Sequence, residues 1–212
     1  MIGWIYDLLS RGAEKGEMGE RREALLASVE GDVLEIGAGT GWNLPHYRAA
    51  TRVVAVEPDA SMAKRLPEKL AQASVPVEVV TAQAESLPFP DSAQAESLPF
   101  PDASFDAVVS TFVLCSVEDP SRVLAELRRV LRPEARLVLL EHVRGEGRTA
   151  RWQDRMTGLH RRLAGNCHLN RDTRTAIGEA GFDVAAIAPV RIPGSHALVR
   201  DGIQGAAIKT SS

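Results

Sequence analysis

The sequence predicts an α/β protein built on a doubly wound sheet of seven strands, mostly parallel and closed by a C-terminal antiparallel hairpin. Three observations carry that prediction. Apolar runs rich in branched residues alternate with helix-period patterns from Gly31 onward, the habit of parallel strands joined by crossover helices. Most of these runs are apolar throughout, as strands covered on both faces are. One of them runs directly into a glycine-rich turn, VLEIGAGTG over Val33 to Gly41, which is the Rossmann-like arrangement of a strand feeding a ligand-binding loop.

Taken in order, Met1 to Leu9 places Ile2, Ile5, Leu8 and Leu9 on one helical stripe with Trp4 beside it. Residues 1–30 are therefore read as an N-terminal helical lid on a single domain spanning 31–212. A weak membrane-surface contact is the alternative, disfavoured because the stripe carries no basic face. The strands are expected at Asp32 to Ile36, Arg52 to Val56, Val77 to Thr81, Phe105 to Ser110, Arg136 to Glu141, Asp183 to Ile192 and Gly202 to Lys209. A helix is expected over Ser61 to Ala71, kinked or shortened by Pro67. Val123, Leu124, Leu127, Val130 and Leu131 form one helical stripe, capped by Asp119 with Pro120 in the first position and stopped before Pro133. Arg148 to Leu163 and Arg171 to Ala180 complete the helices, with Gly181 as the stop of the second.

Ala82 to Ser92 reads AQAESLPFPDS and Ala93 to Ala103 reads AQAESLPFPDA, a tandem match at ten of eleven positions. The proline pairs Pro88/Pro90 and Pro99/Pro101 forbid a continuous helix, so this is one loop written twice over residues 82–103. Doubling a surface loop costs only about 0.6 kcal/mol of closure entropy, which makes a tolerated insertion the favoured reading over a functional repeat.

Composition bounds the function. At 212 residues, with roughly 150 expected per domain, the chain is one domain. A formal charge of -3 gives no overall pull toward nucleic acid. No apolar run reaches the roughly 18 residues of a membrane span, and Met1 to Ser10 shows no basic leader or cleavage site, so a soluble cytoplasmic protein is expected. Cys115 and Cys167 stand far apart without Cys-x-x-Cys spacing, so neither a metal site nor a disulfide framework is expected. Between Arg144 and Arg174 eight arginines face three acids, mostly solvated helix faces, with an anionic acceptor or lipid headgroup as the sharper alternative.

The glycines at Gly37, Gly39 and Gly41 permit unusual backbone angles and let a ligand touch the main chain. The dinucleotide fingerprint wants a further glycine where Trp42 stands, and no Gly-Lys-Ser/Thr follows. The loop suits a nucleoside ligand rather than a pyrophosphate. Glu57 closes the second strand about 20 residues after Gly37, the place and spacing of a carboxylate that accepts ribose hydroxyls.

VLEIGAGTG, VVAVEPD, AESLPFPDASFD and LRRVLRPEARLVLLEH together resemble class I S-adenosylmethionine (SAM)-dependent methyltransferases of the UbiE-like type. The resemblance implies that Glu35 steadies the glycine loop and that Gly37, Ala38, Gly39 and Gly41 pass under the methionine moiety. Asn43 and Thr111 stand alongside, Glu57 holds the ribose, and Pro58 and Met62 flank the adenine. It also assigns adenine contact to the loop after the third strand. Gln83, Ala84 and Glu85 of the first copy continue directly from that strand and are favoured over Gln94, Ala95 and Glu96. A narrower likeness, through TFVLCSVEDPSRVLAELRRVLRP, LLEHV, NCHLNRDT and GIQGAAIK, is to the methyltransferase-like alkyl thiol S-methyltransferases of animals and their soluble bacterial relatives. Asn166 and Ala135 stand where those relatives usually carry glycine.

The resemblance therefore implies methyl transfer to a small apolar acceptor, first a thiol, with S-adenosylhomocysteine (SAH) as the spent cofactor. Carbon or oxygen methylation of a quinone-like or lipid acceptor, a catalytically inert cofactor-binding module and a nicotinamide oxidoreductase are the alternatives. His142, just past the fifth strand, is the candidate base, and Cys115, His168 and Asn170 are candidate pocket residues. Nothing in the sequence fixes the oligomeric state. If one copy of the repeat is spare, deleting Ala93 to Ala103 leaves SAH affinity in calorimetry near the parent value, whereas a large loss shows that both copies are used.

Overall fold

The computed structural model describes residues 14, 16–80, 100–163 and 166–210. The stripe over Met1 to Leu9 and most of the tandem repeat, including Gln83, Ala84 and Glu85, lie outside them. Among the described residues eight strands form one sheet: β1 Gly31–Ile36, β2 Ala50–Val56, β3 Val77–Val80, β4 Phe105–Thr111, β5 Leu131–His142, β6 Phe182–Asp183, β7 Ile187–Arg191 and β8 Asp201–Lys209. Their order is β3-β2-β1-β4-β5-β8-β6, with β7 also paired to β8. The first five strands run parallel, and β8 pairs antiparallel to β5. The order reverses between β1 and β4, so a crevice opens beyond their C-terminal ends, where doubly wound sheets bind ligands.

Alternate residues of the strands feed two cores. Leu34, Ile36, Val54, Val108, Leu137 and Leu139 pack with Val123, Leu124, Leu127 and Val130 of α4 (Pro120–Val130). Val33, Val53, Ala55, Ala107, Val109 and Val138 pack on the other face with Leu26, Leu44, Tyr47 and Leu66. This two-residue alternation is what makes the strands apolar throughout. Leu26 belongs to α1 (Glu17–Leu26), and Leu44 opens a 3-10 turn, Leu44–His46.

Local signals hold with two exceptions. Asp119 accepts hydrogen bonds from the backbone N–H groups of Ser121 and Arg122, with Pro120 at the helix start. The helix expected over Ser61 to Ala71 is two pieces, α2 (Ala60–Ala63) and α3 (Leu66–Leu70), and Pro67 sits in the first turn of α3, where its missing donor costs nothing. Beyond β5, α5 runs Gly147–Leu163 and α6 runs Thr173–Glu179.

The first exception is the strand expected over Asp183 to Ile192, which is broken into β6 and β7, making eight strands where seven were expected. Gly205 of β8, at φ 141°, faces the break, and a Cβ there would run into the Ala186 carbonyl oxygen. The second is β5, which begins at Leu131 and changes register before Arg136. In that irregularity the left-handed backbone falls on Glu134 (φ 60°), so Ala135 needs no glycine, while Asn166 (φ 63°) uses the tolerance of asparagine for that region.

Gly205→Ala should therefore cost about 1–3 kcal/mol of stability by overpacking, whereas Gly158→Ala in α5, where a Cβ meets open space, should gain about 0.5–1 kcal/mol. Urea unfolding of the two variants checks both signs.

Candidate active site

The crevice is built on glutamates at strand ends. Glu57 directly follows β2 and is buried. Its Oε2 accepts the backbone N–H of Gly39 at 2.6 Å and its Oε1 that of Asp59 at 2.7 Å. One carboxylate thus ties the glycine loop of β1 to the turn that opens α2. Burial raises the Glu57 pKa, and the two N–H bonds oppose that rise. A carboxylate has about four acceptor sites, so two remain for a ligand's hydroxyls.

Gly37, Gly39 and Gly41 all take positive φ, at 58°, 59° and 87°. A side chain at Gly37 would strike Val113, and the Met62 sulfur lies near the position a Cβ on Gly39 would occupy. The loop is thus closed from behind by β4's following turn and bordered by α2. Ala38 is buried, its N–H bonded to the Val56 carbonyl at 3.0 Å. Pro58 lies between the two Glu57-bound segments and is half-buried.

Glu35, in β1, sits beneath the loop. Asn43 Nδ2 donates to its Oε1 and the Tyr47 hydroxyl to its Oε2, both at 2.9 Å. The same Asn43 nitrogen reaches Thr111 Oγ1 at 2.8 Å, and Arg22 Nη1 donates to Asn43 Oδ1 at 2.6 Å. Arg22 is itself paired with Glu14 at 2.8 Å. Asn43 therefore acts as the hub that joins α1, β1 and β4. Burial pushes the Glu35 carboxyl up to about 7, against the lowering effect of Tyr47, Asn43 and Arg22.

On the other side of the crevice, buried Glu141 near the end of β5 collects the loop after β4. Ser110 Oγ, Val113 N and Leu114 N donate to one of its oxygens at 2.7, 3.0 and 3.1 Å, and Cys115 N to the other at 3.3 Å. Burial raises this carboxyl too, opposed by the same bonds. Arg171 fastens the loop from outside, donating to the Leu114 carbonyl at 2.6 Å and to that of Val117. His142 follows Glu141, with the Phe112 ring 4.5 Å from its own. Cys115 and Cys167, distant in sequence, touch through their sulfurs at 3.7 Å beside His142. The expectation that these cysteines form no ligand set rested on spacing within one segment; the fold brings the two sulfurs and the His142 ring together from three segments.

Of the sequence-predicted residues, Glu35, Gly37, Ala38, Gly39, Gly41, Asn43, Glu57, Met62 and Thr111 gather around the β1 loop, and Cys115 and His142 gather at the β4 and β5 ends. His168 joins the second group through its backbone, whose N–H meets the Cys115 carbonyl at 2.8 Å. Its ring Nε2 is buried without a hydrogen-bond partner among the described residues, and burial, then Arg171, lowers its pKa to about 4. Asn170 instead donates to Asp154 of α5 at 3.3 Å. Sequence reasoning missed Arg22, Tyr47, Glu141 and Arg171 as parts of the site. Of the arginine run, Arg144 makes an exposed ion pair with Asp154, whereas the half-buried Arg171 holds the loop.

A family model described as a methyltransferase domain matches residues 11–187. The human thiol S-methyltransferase TMT1A is 33% identical over 181 residues, covering 84% of this chain and 70% of that protein. The chain belongs to this family and is a SAM-dependent methyltransferase. A demethylmenaquinone methyltransferase of Thermobifida fusca is 37% identical over 142 residues, 64% of this chain and 56% of that one. Among solved structures, a SAM-dependent methyltransferase of Thermotoga maritima superposes with a TM-score of 0.63 at 22% identity, covering 97% of this chain and 93% of that one. SAM is thus the methyltransferase's cofactor, and the doubly wound fold is that of its structural neighbours. The fit to an adenosyl group is visible in the residues themselves: bare backbone at positive φ, and a carboxylate with acceptor capacity left over.

Because Glu35 binds its proton more tightly folded than unfolded, its burial costs nothing below about pH 4.5 and most above about pH 7. Glu35→Gln should therefore gain stability relative to the parent as pH rises across that window, by up to about 3 kcal/mol at about 1.4 kcal/mol per pKa unit. Urea unfolding of both proteins at pH 4.5 and 8 measures it, and a pH-independent difference contradicts the assignment.

Proposed function

We propose that this methyltransferase transfers the methyl group of SAM to the sulfur of a small, apolar thiol. The observation that carries the cofactor half is Glu57, fastened to the glycine loop and to the α2 turn with acceptor sites to spare for the ribose hydroxyls. In this reading Gly37 to Gly41 lie under the methionine moiety, Pro58 and Met62 flank the adenine, and Gln83, Ala84 and Glu85 contact it. Glu35, Asn43 and Thr111 hold the loop in place rather than touching the reacting atoms.

Displacement at a sulfonium methyl needs the nucleophile, the carbon and the leaving sulfur in line within a dry pocket. An anionic thiolate and a cationic sulfonium give two neutral products, so a pocket of low dielectric favours the reaction. The acceptor side is the β4 and β5 end, where Phe112, Cys115, His142 and His168 stand. A thiol is favoured because the TMT1A relative, matched along most of the chain, is a thiol S-methyltransferase. The quinone-ring reading rests on the demethylmenaquinone methyltransferase, matched over a shorter stretch. Among the described residues no helix is long and apolar enough to cross a membrane, and the cytoplasm is the location proposed. A small-molecule acceptor, rather than nucleic acid, fits the net charge of -3.

Calorimetry with SAH should show binding that Glu57→Ala weakens by about 1.5–3 kcal/mol, the range for hydrogen bonds to a charged group. Incubation with methyl-labelled SAM should label an alkyl thiol and not a demethylquinol. Label on the quinol alone supports the second reading, and label on neither overturns both acceptor readings.

A further inference from the structure

Cys115, His142 and Cys167 come from three separate segments: the loop after β4, the last residue of β5 and the connection between α5 and α6. Their donor atoms form a nearly equilateral triangle. The two sulfurs are 3.7 Å apart, and each is 3.9 Å from His142 Nδ1. Both cysteines are free and buried. Tetrahedral zinc, with Zn–S of about 2.3 Å and Zn–N of about 2.0–2.1 Å, needs edges of about 3.8 Å between sulfurs and about 3.6 Å between sulfur and nitrogen. The triangle matches one face of such a tetrahedron to within a few tenths of an ångström.

The surroundings hold that face in place. The Cys115 N–H is bonded to Glu141, its carbonyl to His168 N–H, and Asn166 Nδ2 to the Ser116 carbonyl at 2.7 Å. The two cysteine-bearing segments are thereby stitched to each other and to β5, while Phe112 lies against the imidazole. Two thiolates and one neutral imidazole would balance a divalent charge.

We propose that Cys115, His142 and Cys167 bind a thiophilic divalent cation of the zinc type, leaving a fourth position for the acceptor's sulfur. This role for the cation rests on the thiol reading above. An acceptor R–SH taking the fourth position releases its proton to solvent and is held as the thiolate. A lone pair on that sulfur forms the S–CH3 bond as the methyl–sulfonium bond breaks, and the bonding pair returns to the cofactor sulfur. The products are R–S–CH3 and SAH, both neutral at sulfur. His142 is then a ligand, and the base assigned to it from sequence is not needed.

The test is titration of the reduced, metal-free protein with cobalt(II), read by thiolate-to-metal charge-transfer absorption, followed by displacement with zinc. One equivalent is expected, with the band lost in Cys115→Ser and Cys167→Ser and weakened in His142→Ala. SAH calorimetry on each variant verifies that the fold persists. No charge-transfer band in a protein that binds SAH overturns the site and leaves the methyltransferase reading intact, as does a Cys115–Cys167 disulfide forming in air where reduced protein retains no zinc. Stoichiometric cation binding in a protein that methylates only a quinol supports the site and overturns its part in thiol activation.

Discussion

The Glu57 carboxylate is the contact on which the crevice depends. A buried carboxylate is costly unless its lone pairs are met, and here two backbone N–H groups meet them, one from the glycine loop and one from the turn that opens α2. Gly39 supplies one because the loop turns through left-handed geometry, and Asp59 the other because it caps α2. The same bonds that satisfy the charge shape the floor on which an adenosyl group would rest.

The pattern recurs along the sheet edge. Glu35 and Glu141 are likewise buried near the C-terminal ends of parallel strands, and each gathers donors from neighbouring segments: Asn43 and Tyr47 in one case, Ser110 and the backbone of the β4 loop in the other. The three glutamates divide the work. Glu57 and Glu35 hold the β1 and β2 end of the crevice, proposed for the cofactor, and Glu141 holds the β4 and β5 end, proposed for the acceptor. A parallel sheet aligns such positions at one edge, which is why loops far apart in sequence share a single crevice.

Much of this was legible in the sequence for a local reason. The glycine loop, the position of Glu57 after β2, and the cap formed by Asp119 and Pro120 are each set by a few neighbouring residues, so spacing alone finds them. The break between β6 and β7 was not legible, since its cause, Gly205, lies across the sheet in another strand. Arg22 and Arg171 resemble ordinary surface arginines until the fold turns them toward Asn43 and the β4 loop. Tyr47 resembles a core aromatic until its hydroxyl is seen on Glu35. Cys115 and Cys167 gave no signal by spacing because their partnership is made entirely by tertiary structure.

A crystal structure with SAH decides whether the Glu57 carboxylate holds the ribose. The ribose hydroxyls should lie within hydrogen-bonding distance of the Glu57 carboxylate, the amino acid portion over Gly37 to Gly41, and the sulfur toward the β4 and β5 ends. SAH bound elsewhere, with the Glu57 carboxylate still occupied only by Gly39 and Asp59, contradicts it.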